Sequence, residues 1–109
     1  MLIDFKNMTA NVIKNFKGGE KEAALKIYDD NQNKIICGKL IPGASIGLHT
    51  HETDCEIIYI LSGKGKVLYG GKYEIVSAGD CHYCPNGHSH SLINDSEDDL
   101  IFFAVVPTK

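Results

Sequence analysis

Turn signals cut this chain into pieces too short for helices. Pro42-Gly43, Ser62-Gly63, Gly70-Gly71, Ala78-Gly79-Asp80 and Pro85-Asn86-Gly87 follow one another at short intervals. Proline presets φ and glycine accepts positive φ, so each cluster favours a reversal. Between them lie apolar or alternating runs: Glu56–Leu61, Gly65–Tyr69, Lys72–Val76, Cys81–Cys84, His88–Asn94 and Leu100–Val106. Gly70-Gly71 has the form of a two-residue hairpin loop. The acidic stretch Asp95–Asp99 reads as a solvated turn. Upstream, 20–27 contains good helix formers, but no cap precedes them. This segment reads better as a strand over 22–28, joined by a polar turn at 29–33 to the run ending at Pro42-Gly43. Many short strands and no crossover helices predict an all-β fold, a small antiparallel sandwich or β-barrel.

The 109 residues make one domain, spanning 1–109 without linker or repeat. With 43% hydrophobic and 23% charged residues the chain is globular in composition. A domain of this size buries about two-thirds of its unfolded surface, so a metal or a second subunit adds needed stability. The net charge is −3 and no basic run exceeds two residues, which argues against nucleic acid and anionic membrane as partners. Asp4 and Lys6 interrupt the N-terminal apolar residues, and no stretch approaches the roughly 20 apolar residues of a membrane span. A cytoplasmic location is expected, with Cys37, Cys55, Cys81 and Cys84 unpaired.

Chemistry concentrates between Gly43 and Gly63. Residues two apart on a strand share a face, so His49 and His51 aim at one point, where Glu56 can join them. Two imidazoles and a carboxylate suit a divalent transition metal that keeps positions open for other ligands. A second organised stretch begins at Gly79, and its sharp reversal at Pro85 and Gly87 precedes His90. In a closed antiparallel sheet, His90 can come across to the first pair.

These two stretches, 43–63 and 79–94, resemble the two motifs of the cupin superfamily. The first reads Gly43, five residues, His49, one, His51, four, Glu56, six, Gly63. The second reads Gly79, five residues, Pro85, one, Gly87, two, His90, three, Asn94. The fifteen residues between them match the short spacer of compact bacterial members, and no motif position departs from the pattern. The resemblance implies a jelly-roll barrel of six to eight strands holding one divalent metal (Fe, Mn, Ni, Zn, Co or Cu) on His49, His51, Glu56 and His90. It further implies a small-molecule metalloenzyme of dioxygenase, isomerase or decarboxylase type, with an oxygen-rich substrate chelating the metal. The alternative is a non-catalytic module that binds or senses a small ligand.

Other residues are weighed against these. Cys81, Cys84, His88 and His90 have a rival zinc spacing, Cys-x2-Cys-x3-His-x-His, although structural zinc motifs usually separate the two pairs further. Packing in the core or lining of the pocket is the simpler expectation for Cys81 and Cys84. Cys55 points away from the ligand face, being next to Glu56. His88, two residues before His90, is a candidate general base or hydrogen-bond donor beside the metal, weighed against a surface histidine on the turn; the face of His82 is left open. If Glu56 points inward, Ile58 and Ile60 follow it as an apolar floor, and Tyr59 and Leu61 point outward. That outer apolar face, together with the dimers common among similar cupins, leads to an expected homodimer.

Overall fold

The eight strands anticipated from the sequence are present, and two short ones join them. The computed structural model describes residues 1–108, and these form β1 (Asn11–Lys14), β2 (Glu22–Asp29), β3 (Asn33–Leu40), β4 (His49–Thr50), β5 (Glu56–Ser62), β6 (Lys64–Tyr69), β7 (Lys72–Ser77), β8 (Cys81–Cys84), β9 (Ser89–Ile93) and β10 (Leu100–Pro107). One sheet has the order β1-β2-β3-β10-β5-β8 and the other β4-β9-β6-β7. All named pairings are antiparallel, and the two sheets face each other as a jelly-roll barrel. The count exceeds six to eight because the N-terminal segment adds β1 at one edge and the two-residue β4 forms beside β9.

Burial decides β2 against its helix-forming composition. Ala23 and Leu25 are buried and Ile27 half-buried on one face, a period of two that a helix cannot present. Two ladders, to β1 and to β3, complete its backbone pairing. Tertiary pairing thus overrides a propensity worth only tenths of a kcal/mol per residue. The β2–β3 turn falls where expected. The Asp30 carboxylate accepts the Gln32 and Asn33 amides at 3.0 and 2.8 Å, and these bonds hold its carboxyl below the usual range.

Inward residues pack unevenly along the barrel. At one end Leu40, Ile60, Val67, Leu92 and Leu100 are fully buried and close the interior. Each such side chain contributes about 1.5–3 kcal/mol by leaving water. Toward the other end β2, β3 and β10 run on through Ile27, Ile36 and Val106, which border open space. Phe102 covers Gly38, its register partner on β3, where a Cβ would come 2.2 Å from the ring. On the outer face of β5, Ile57, Tyr59 and Leu61 are 39%, 43% and 49% exposed, as the alternation requires. Among the described residues, no helix is long and apolar enough to cross a membrane.

Candidate metal centre

Strand register places the four motif side chains. His49 lies directly opposite His90 in the β4–β9 pair, so both face inward. Glu56 opens β5 and starts its buried face. His51 lies in the loop after β4, and the Pro85–Gly87 turn fixes it there. The Gly87 amide donates to the His51 carbonyl at 2.6 Å, and the His51 amide donates to the His88 carbonyl at 3.0 Å. Asn86 Nδ2 also donates to the carbonyls of His51, Glu52 and Asp54 at 3.3, 2.8 and 3.2 Å. The sharp turn of the second stretch therefore holds a histidine of the first.

One potential ligand atom from each of His49, His51, Glu56 and His90 lies within 4.8 Å of all the others. The three imidazoles surround a common point, with centroids 4.8–4.9 Å apart and planes at 61–73°. Glu56 Oε1 is 2.9 Å from His90 Nε2, 3.1 Å from His51 Nε2 and 3.8 Å from His49 Nε2.

The partners behind the rings fix the tautomers. His49 Nδ1–H donates to the Gly47 carbonyl at 2.7 Å, and His51 Nδ1–H donates to Asp54 Oδ1 at 2.6 Å. His82 Nδ1–H donates to Glu74 Oε1 at 2.8 Å, which leaves His82 Nε2 bare to accept from His90 Nδ1–H at 3.1 Å. A neutral imidazole carries one N–H, so all three ligand histidines turn a bare Nε2 inward. His51 Nε2 and His90 Nε2 are only 2.9 Å apart beside a carboxylate. Such a cluster of electron pairs is unfavourable unless a proton or a cation lies among them. Its chemistry fits a divalent transition metal, and the outer partners are those that orient metal-bound histidines.

Electrostatics agree. Burial pushes the Glu56 carboxyl up, yet with protons in place of a metal on the inward nitrogens, the hydrogen bonds of His49, His51 and His90 outweigh it and hold the group well below the usual carboxylate range. The bond to Glu56 raises His51 despite its burial. Burial lowers His90, against the opposing pull of Glu56. The carboxylate is thus held ionised for a cation.

The cluster borders a cavity of about 410 Å³. Its apolar wall consists of Leu25, Ile27, Ile36, Ile46, Phe102 and Val106, while Phe16, Lys17, Lys34 and residues 50–54 also line it.

The family model of the cupin domain matches residues 38–106, well over half of the chain. The chain belongs to the cupin family. It is 37% identical over 112 residues to an oxalate-binding protein of Thermotoga maritima, covering 97% of this chain and 93% of that one. A solved structure of a predicted oxalate decarboxylase from the same organism superposes with a TM-score of 0.94 at 35% identity, covering both chains completely. The polyketide cyclase RemF of Streptomyces resistomycificus shares the fold alone, with a TM-score of 0.83 at 21% identity over 100% of this chain and 80% of that one.

The other residues of this cupin weighed from the sequence divide between those that meet the cluster and those that do not. His88 is exposed, outside the cavity lining, its ring stacked on Tyr69 at 5.7 Å with the phenol oxygen 3.2 Å from Nδ1. Ile58 and Ile60 do point inward, at 1% and 0% exposure, but into the packed core and not the cavity. The cavity wall comes instead from β2, β3 and β10, whose inward alternation marked them as core with nothing to separate lining from filling. The rival zinc set is not assembled. Cys81 is exposed and Cys84 buried, because residues three apart on β8 face opposite sides. Cys55 is buried and Cys37 half-buried; all four thiols are free. His82, whose face the sequence left open, points inward and backs His90.

Proposed function

We propose that His49, His51, Glu56 and His90 of this cupin would hold one divalent transition metal, and that the site so formed serves to bind a small carboxylate chelating through adjacent oxygens. The observation that carries this reading is the inward convergence of three bare Nε2 atoms on an ionised carboxylate at the end of a cavity. The kinship with an oxalate-binding protein points to the same ligand chemistry. When bound, the metal supplies Lewis-acid attraction for the oxygens of the ligand. The chain's own residues prepare that attraction. Gly47, Asp54 and His82 lock the three rings with Nε2 inward. Glu56 offsets one of the two positive charges and leaves a net attraction for an anion. The apolar wall keeps competing water few.

The experiment is metal analysis of the purified protein, followed by Glu56→Gln and His49→Ala. Both substitutions are expected to abolish stoichiometric metal, and with it the thermal stabilisation that added metal gives the parent protein. Full retention of metal in both would overturn the reading. A metalloenzyme of decarboxylase type is the second reading, favoured by the likeness to the predicted oxalate decarboxylase. Turnover of oxalate or a 2-oxo acid by the metal-loaded protein decides between them. Two subunits meeting on the outer face of Ile57, Tyr59 and Leu61 belong to the same proposal, tested by light scattering.

A further inference from the structure

The cavity is too large and too apolar for a ligand that consists of a chelating head alone. Oxalate has six non-hydrogen atoms and fills at most about 180 Å³, at the roughly 30 Å³ that one water takes in the liquid. The cavity measures about 410 Å³, so more than half would stay unfilled. That remainder has room for about seven further atoms at the same share.

Its composition says what kind of atoms. Leu25 and Ile27 on β2, Ile36 on β3, Ile46, and Phe102 and Val106 on β10 offer no hydrogen-bonding side chain. Ile27 and Ile36 are only half-buried although they point into the barrel, so their remaining exposure is toward this space. A hydroxylated ligand such as a sugar would lose its water there without replacement partners, at about 1–3 kcal/mol for each unpaired group. Methylenes lose nothing and gain contact. Besides the cluster, the polar side chains that line the cavity are those of Lys17, Lys34, Thr50, Glu52, Thr53 and Asp54, the last engaged with His51.

Phe16 and Lys17 reach the cavity from a segment folded for that position. Asn15, Lys17 and Lys21 have φ of 52°, 56° and 53°, a left-handed conformation that side chains rarely adopt. The segment is anchored where the Gly47 amide donates to the Phe16 carbonyl at 2.9 Å. Strained backbone held in place at a cavity is a mark of a binding wall.

From this we infer that the ligand is an amphipathic carboxylate, a 2-oxo acid with an unbranched apolar tail of up to about seven carbons. Its carboxylate and oxo oxygens address the metal while the tail lies against Leu25, Ile27, Ile36 and Phe102. This inference rests on the metal-chelating reading above.

The test is calorimetric titration of zinc-loaded protein, its metal content measured first, with oxalate, pyruvate and the straight-chain 2-oxo acids up to ten carbons. Kd is expected to fall about three- to fourfold per added methylene, the value of one buried CH₂, and to level off near seven tail carbons. In Ile36→Thr, checked for native fold and full metal content, the fall per methylene is expected to shrink below twofold. A flat series with oxalate the tightest overturns the tail while keeping the chelating site. Failure of every acid, oxalate included, on fully loaded protein overturns the chelation reading and the tail with it. An equal series on metal-free protein would show that the acids bind without a metal-held head, and also counts against the inference.

Discussion

The rings of His82 and His90 meet edge to edge, centroids 5.2 Å apart and planes 28° from parallel, and His82 Nε2 accepts the His90 Nδ1–H at 3.1 Å. Behind it, Glu74 completes a three-membered chain from a half-exposed carboxylate to a buried ligand. The chain fixes which His90 nitrogen faces the cluster. His82→Phe keeps a ring but removes the acceptor, and is expected to weaken zinc binding 10- to 100-fold with the fold retained. His82→Gln, whose amide oxygen can accept, should recover part of that loss. Chelator competition reads the affinity, and two-bond nitrogen–proton spectra read the His90 tautomer. Unchanged affinity and tautomer in His82→Phe would show the contact to be packing alone.

This chain also shows what a sequence exposes and what it hides. The period-two pattern and the turn residues were enough for β2, β3 and β5 to β10, most of which bury one face. The four residues of the cluster were legible because the spacings around His49, His51, Glu56 and His90 are local to two short stretches. His82 was not, since nothing in Cys81–Cys84 says which alternate face meets the barrel until β8 pairs with β5 in the register Ile58↔His82. The cavity wall was hidden for a different reason. Leu25 and Ile36 are patterned like filling, and only the distance between opposing sheets decides whether they enclose space. β1 escaped notice because its four residues show one half-buried position.

Asn94, the last residue of the second stretch, is fully buried and fully bonded. Its Nδ2 donates to the carbonyls of Leu40 and Asp98, both at 2.8 Å, while Oδ1 accepts from the amide and hydroxyl of Ser96 at 3.0 and 2.8 Å. It ties the acidic loop to the barrel. Asn94→Ala strands a buried Leu40 carbonyl and is expected to cost about 2–4 kcal/mol. At about 4–8 °C per kcal/mol, Tm should fall by more than about 8 °C. A drop under about 2 °C in calorimetry would mean that the loop closes without it.

Cys84 gives a pH dependence of definite sign. Burial, with Glu56 and Asp54 adding repulsion, pushes its thiol from an ordinary 9.0 up to about 11. Between those values the folded chain binds a proton that the unfolded chain has lost, so stability falls as pH rises from 9 to 11. A shift of this size corresponds to about 2–3 kcal/mol. Denaturant unfolding at pH 8 and pH 11 should therefore show a smaller loss in Cys84→Ala than in the parent protein. At pH 8 iodoacetamide should label exposed Cys81 well before Cys84. Equal alkaline losses in the two proteins would remove Cys84 as the cause.

Gly47 has no room for a side chain. A Cβ there would stand 1.9 Å from the Lys17 carbonyl oxygen and 2.7 Å from the Gly19 amide nitrogen, both backbone atoms that cannot rotate away. The same residue accepts from His49 Nδ1 and donates to the Phe16 carbonyl, so it links the strained segment at 15–21 to His49 of the cluster. Gly47→Ala must push that segment off the barrel. The expected cost is about 2–3 kcal/mol, the upper range for overpacking, or a Tm lower by about 10–20 °C. Two further effects separate this from general destabilisation. Proteolysis under native conditions should cut first within 15–21, and zinc affinity should fall as His49 loses its fixed carbonyl. Loss of stability with both the cleavage pattern and zinc affinity unchanged would show that Gly47 serves the fold without setting either the wall or the ligand.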